Sequence, residues 1–80
     1  MGNSVYSKRY KEFLNRLKAA RVEAGLTQTE VSTLLNVPQS YVSKCESGER
    51  RVDVIELMDF AAVYQKSILY FTEESRNNSS

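Results

Sequence analysis

Eighty residues, 41% of them hydrophobic and 26% charged, describe one folded domain with a single modest core, and exclude a second domain or a chain dominated by charge repulsion. One cysteine, Cys45, and no histidine exclude an intramolecular disulfide, a histidine-containing zinc site and a His-dependent triad, so no catalytic residue, metal ligand or cofactor is expected. The net charge of +1 hides an asymmetry: through Arg51 nine Lys/Arg oppose five Glu, a net +4, and the rest carries two basic and five acidic residues, a net −3, which fits a chain that meets phosphate on one side.

With one proline, three glycines and no clean alternation of strand-favouring with polar residues, the chain reads as all-α. Residues 1–8 read as a flexible arm and 9–72 as the folded domain. Met1-Gly2-Asn3-Ser4 is no apolar signal region, and no window approaches the roughly 20 apolar residues of a membrane span, so a cytoplasmic protein is expected.

In the first helix Tyr10, Phe13, Leu14, Leu17, Ala20 and Ala24 recur at spacings of three and four, one amphipathic stripe, and Gly25 stops it. Thr27-Gln28-Thr29-Glu30 then reads as a capping box with Leu26 and Val31 as its hydrophobic staple. This second helix buries Val31, Leu34 and Leu35 before Asn36, which tolerates a left-handed turn. A third helix starts at or just after Pro38 and buries Val42 with Cys45, until Ser47-Gly48 closes it. Asp53-Val54-Ile55-Glu56 is a second capping box, stapled by Val52 and Leu57, for a helix whose inward face reads Val54, Leu57, Met58, Ala61 and Tyr64. Ser67 caps a last short helix through Ile68, Leu69, Tyr70 and Phe71, too apolar to stand in water alone. The stripe from Tyr64 to Phe71 is expected both to complete the core and to contribute to a two-fold contact. Residues 73–80 read as a disordered polar tail.

Two short helices about three residues apart, the second opening with polar side chains, form the unit that presents one helix to a DNA major groove. With Val42 and Cys45 inward, Gln39, Ser40, Ser43 and Lys44 point outward, and all four are able to hydrogen-bond bases or phosphates. Cys45, on the inward stripe, reads as inert core rather than as a redox-sensing thiol.

Gly25 to Val31, Asn36-Val37-Pro38-Gln39-Ser40, Val42-Ser43 and Glu46-Ser47-Gly48 resemble the XRE/Cro family of lambda-repressor-like helix-turn-helix domains, from about Phe13 to Phe71. The resemblance implies a five-helix domain in which the second and third helices form the helix-turn-helix. It implies that Gln28 bonds a phosphate and braces Gln39, the first base-reading residue, with Ser40, Ser43 and Lys44 on the same strip. Ser47 matches a phosphate-contacting position, and Arg50 and Arg51 extend the phosphate track. Arg21 and Glu46 match a pair that forms a structural salt bridge in some members. Tyr41 is grouped with the phosphate contacts, its alternatives being a thymine methyl or a cover over the first helix. Three positions depart from the pattern: Asn36 for a usual glycine, Pro38 for a common Ser/Thr cap, and Cys45 for Trp or Leu.

The expected function is a transcriptional regulator that binds double-stranded operator DNA as a homodimer. The alternative is a protein-interaction module of the antitoxin type that binds a partner toxin and regulates its own promoter. An enzyme is disfavoured, because no nucleophile, base and oxyanion donor assemble from these residues.

Overall fold

A computed structural model of the chain describes residues 7–72, and the expected tail, 73–80, and most of the expected arm lie outside them. Five helices follow one another: α1 (Lys8–Glu23), α2 (Gln28–Leu35), α3 (Gln39–Ser47), α4 (Val54–Tyr64) and α5 (Ile68–Thr72). α1 takes in Lys8, because the Ser7 hydroxyl already accepts from the Tyr10 N–H at 3.1 Å. No described residue is in a strand.

The helix starts follow their caps. Thr27 accepts from the Glu30 N–H at 3.1 Å while Glu30 accepts from the Thr27 N–H at 2.9 Å, and Asp53 and Glu56 exchange the same pair of bonds at 2.8 and 3.1 Å. The ends follow left-handed residues. Gly25 at φ +74° lets the Leu26 N–H reach back to the Arg21 carbonyl at 3.2 Å, the Schellman closure that glycine makes without strain. Asn36 at φ +60° does the same for α2, with the Val37 N–H donating to the Ser32 carbonyl at 2.9 Å. At the end of α4 the left-handed residue is Gln65, φ +57°, which no residue preference foretells.

The core gathers Leu17 and Ala20 of α1, Val31 of α2, Val42 and Cys45 of α3, Leu57, Phe60, Ala61 and Tyr64 of α4, and Phe71 of α5. α2 packs against α3 and α4, α1 against α3 and α5, and α4 against α5. Two ties outside the core fix α1: Tyr10 Oη accepts from the Val52 N–H at 3.1 Å, and Arg16 Nη1 donates to the Tyr70 carbonyl at 3.2 Å.

Several apolar positions depart from the expected burial. Leu34 is 61% exposed, and the buried face of α2 is Val31 with Ser32, whose hydroxyl donates to the Thr29 carbonyl at 2.7 Å. α2 lies between two helices, and the face it turns to them is centred on Val31, Ser32 and Leu35. On α4, Val54 and Met58 face solvent, and Phe60, absent from the expected stripe, is fully buried. α4 is apolar nearly all round, so periodicity alone does not choose its face; the large Phe60 ring does, stacking at 6.2 Å on Tyr41 and 6.0 Å on Tyr64. Ala24, expected at the end of the α1 stripe, is the exposed C-cap. In the last stripe Phe71 is buried and Ile68 and Tyr70 half-buried, while Leu69 is exposed.

Candidate nucleic-acid interface

α3 follows α2 after Asn36, Val37 and Pro38. Val37 packs against the core and Pro38 is the N-cap, with no side-chain bond to the first turn. With Val42 and Cys45 buried beneath it, α3 presents Gln39, Ser40 and Lys44 exposed, with Ser43 half-buried beside them. The four lie at i, i+1, i+4 and i+5, a single strip of the helix.

The N-terminal end of that strip is held by a chain of side-chain bonds. Arg21 grips Glu46 bidentately, Nε to Oε2 at 2.7 Å and Nη2 to Oε1 at 3.2 Å, and its Nη1 donates to the Leu26 carbonyl at 3.0 Å. The two side chains are 13% and 5% exposed, which places the pair among those whose loss leaves a buried charge behind. The bond to Glu46 raises the Arg21 pKa above its ordinary value, against the opposing effect of burial. Glu46 Oε1 also accepts from Gln28 Nε2 at 3.0 Å, and Gln28 Oε1 accepts from Gln39 Nε2 at 3.3 Å.

The polarity of this chain is fixed at one end. A carboxylate only accepts, so Gln28 must turn its amide nitrogen to Glu46 and its carbonyl oxygen outward. Gln39 in turn must offer its nitrogen to Gln28. A buried ion pair between α1 and α3 therefore sets which way an exposed amide on α3 faces.

The C-terminal end of α3 is held differently. Gly48 is buried at φ +87°, and the Arg50 N–H returns to the Lys44 carbonyl at 3.1 Å. Ser47 Oγ donates to the Lys44 carbonyl at 3.1 Å and accepts from the Glu49 N–H at 3.3 Å, so its hydroxyl shapes this turn. The Arg50 guanidinium is ion-paired with Glu56 and lies 4.7 Å from the centre of the Tyr41 ring. Arg51 is exposed, its guanidinium 4.3 Å over Tyr10.

Tyr41 stacks on Phe60 of α4 and is half-buried between that ring and Arg50. Burial, with smaller effects of Cys45 and Glu56, pushes its phenol up to about 12. Burial likewise pushes the Cys45 thiol up to about 11, which makes it a poor nucleophile. Tyr64 also titrates above its usual range through burial, and its buried Oη has no hydrogen-bond partner.

Sequence reasoning missed the residues that brace the strip from behind. Glu56 reads as a capping-box residue, and it holds Asp53 and Arg50 at once. Tyr10 reads as part of an apolar stripe, yet its hydroxyl and its ring fix the segment that carries Arg51. Neither role has a local signal: Tyr10 meets partners far along the chain, and Arg50 reaches Glu56 only through the path of the turn. Among the described residues, no helix is long and apolar enough to cross a membrane, and no group of three or more Cys, Asp or Glu is placed to hold a metal ion.

A family model described as helix-turn-helix matches residues 17–71. Among solved structures the chain is similar to an XRE-family like protein from Pseudomonas syringae pv. tomato str. DC3000, with a TM-score of 0.77 and 41% identity over 89% of each chain. No curated protein matches it. The helix order, the α2–α3 unit and these two likenesses agree, and the chain belongs to the XRE/Cro-type helix-turn-helix family of DNA-binding domains.

Proposed function

We propose that the protein is a transcriptional regulator that binds operator DNA sequence-specifically, as a homodimer that lays two copies of α3 in successive major grooves roughly 34 Å apart. The observation that carries this reading is the braced amide pair, Gln28 with Gln39, at the exposed start of α3. An unbraced surface glutamine samples many rotamers, and ordering it on binding costs entropy. Gln39 is held with its carbonyl oxygen and one N–H still available, the acceptor and donor that adenine N6 and N7 require.

The remaining groups divide by chemistry. Ser40 and Ser43 read bases as hydroxyl donors or acceptors, and Lys44 favours guanine O6 and N7. Gln28, Tyr41, Ser47, Arg50 and Arg51 line the phosphate track, with Arg51 as its exposed cation and Arg50 holding the turn through Glu56. The Gln39 and Ser40 N–H groups that open α3, where Pro38 offers no side-chain cap, favour an adjacent phosphate.

Selection of bound duplexes from random DNA tests the proposal. The expected product is a palindrome with fixed half-site spacing, and Gln39→Ala then costs about 1–3 kcal/mol of discrimination at one base pair of each half-site. An unchanged ranking of sites by that variant would overturn the assignment of α3.

A further inference from the structure

Arg51 is held from two directions by one side chain of another helix. The Tyr10 ring of α1 lies 4.3 Å from the centre of its guanidinium, and Tyr10 Oη accepts from the N–H of Val52, the peptide that follows Arg51, at 3.1 Å. The ring is itself fixed, half-buried and packed on Phe13 with 5.3 Å between centroids. A single residue in the first turn of α1 thus constrains both the backbone and the tip of a cation in the α3–α4 turn.

Arg50 gives the comparison. Both arginines lie over a tyrosine ring, Arg50 over Tyr41 at 4.7 Å and Arg51 over Tyr10 at 4.3 Å, but Arg50 also turns its Nη2 to the Glu56 carboxylate. Arg51 is exposed and has no hydrogen-bond or ion-pair partner among the described residues. A guanidinium is planar, and one whose face meets a ring keeps its edge of N–H donors for an oxyanion. Of the two, Arg51 is the one whose whole fork of donors remains to be used.

We infer that Tyr10 is a positioning residue for DNA binding: without touching DNA, it orders Arg51 in advance, so that the guanidinium meets a backbone phosphate with little further loss of side-chain freedom. The inference rests on the proposed phosphate track, and it brings the first turn of α1 into DNA binding. Immobilising a long, free side chain on binding lowers affinity by about 3- to 10-fold, and an arginine already ordered by its own protein is spared that loss. A phosphate contact carries no sequence information, so the gain is the same on every duplex.

The test uses the whole protein with the selected duplex and a scrambled duplex of equal length. Tyr10→Leu removes the ring and the hydroxyl but suits a helix, and Tyr10→Phe keeps the ring alone. Tyr10→Leu should weaken binding to both duplexes by about 3- to 10-fold. It should leave the slope of log K against log salt unchanged, because Arg51 still reaches its phosphate, whereas Arg51→Ala lowers that slope. Tyr10→Phe should restore affinity to within about 2-fold of the wild type, while loss of the Val52 bond lowers its thermal midpoint. In an Arg51→Ala background, Tyr10→Leu should change affinity by less than about 2-fold. In the free wild-type protein, nitrogen-15 relaxation should give Arg51 Nε an order parameter above about 0.6, falling below it in Tyr10→Leu. Unchanged affinity in Tyr10→Leu, an equal loss in Tyr10→Phe, or the same loss in the Arg51→Ala background overturns the inference. A mobile Arg51 Nε in the wild type also overturns it, and that measurement needs no variant to fold. A wild-type protein that binds neither duplex overturns the DNA-reading proposal itself, even where Arg51 proves ordered by Tyr10.

Discussion

Replacing Glu46 by glutamine keeps the shape of the side chain and removes the group that orders the amides of Gln28 and Gln39. In the native protein Glu46 accepts three bonds, two from Arg21 and one from Gln28. The substituted amide would have one oxygen to offer and an NH2 group that faces a donor. Arg21 keeps the Leu26 carbonyl and retains 13% exposure, so its charge is not stranded as it would be by truncation to alanine, which costs about 3–5 kcal/mol. The loss of a charged acceptor places Glu46→Gln near ~2 kcal/mol. An 80-residue chain has a total stability of roughly 4–12 kcal/mol, so the variant stays folded. The effect on reading is of another kind. The new amide keeps its oxygen on Arg21 Nε, the shortest of the three bonds at 2.7 Å, and turns its NH2 towards Gln28; Gln28 relaxes by turning its own amide over, and Gln39 must then turn its own. The donor and acceptor that Gln39 presents to a base exchange places, and discrimination at its base pair falls by about 1–3 kcal/mol, as in Gln39→Ala. Urea unfolding reads the first quantity, and competition between the selected site and a single-base variant reads the second. If Glu46→Gln lost stability but kept full discrimination while Gln39→Ala lost it, the relay of amide orientation would be refuted.

Two further outcomes follow from the same geometry. Arg51→Ala removes an exposed cation from the proposed phosphate track, and should weaken binding to all sequences alike while lowering the slope of log K against log salt by about 0.9; a change in site preference would place Arg51 on a base instead. Cys45, fully buried and shifted from 9.0 to about 11, holds its proton more tightly folded than unfolded, so its contribution is intact below pH ~9 and is lost as pH rises towards ~11, about 2–3 kcal/mol in all. Unfolding measured across that window should fall more steeply for the wild-type protein than for Cys45→Ala, and equal slopes would show that the thiol is not desolvated in the native state.

The helix starts and the reading strip are legible in the sequence because their signals are local. Thr27 with Glu30, and Asp53 with Glu56, close within one turn, and the inward pair Val42 and Cys45 leaves only one side of α3 for Gln39, Ser40, Ser43 and Lys44. The face of α4 is not legible, since a helix reading Val-Ile-Glu-Leu-Met-Asp-Phe-Ala-Ala-Val-Tyr supports several stripes, and only the packing of Phe60 between Tyr41 and Tyr64 selects one. Leu34 misleads for the related reason that an eight-residue helix shared between two neighbours is oriented by them rather than by its own period. Gln65 has no signal, because its left-handed conformation is imposed where α4 must stop for Ser67 to cap α5. The place of Arg50 is hidden as well: sequence shows a cation beside Arg51, and only the path of the turn brings Glu56 and Tyr41 to it.

Arg50 and Arg51, adjacent residues of one charge, have different surroundings, and the difference bears on how α3 is held in place. α3 has nine residues and no side-chain cap at its start, so it is too short to persist on helical propensity alone. It is secured instead at both ends by bonds from other elements. The Arg21–Glu46–Gln28 chain anchors its last turn to α1 and braces Gln39 in its first, and Arg50 ties the Lys44 carbonyl, Tyr41 and α4 together. The charge of Arg50 is taken up by that clamp, which leaves Arg51 as the exposed cation of the proposed phosphate track. Because the clamp also reaches Glu56 in the first turn of α4, the contacts that steady the end of α3 tie it to the start of α4 as well.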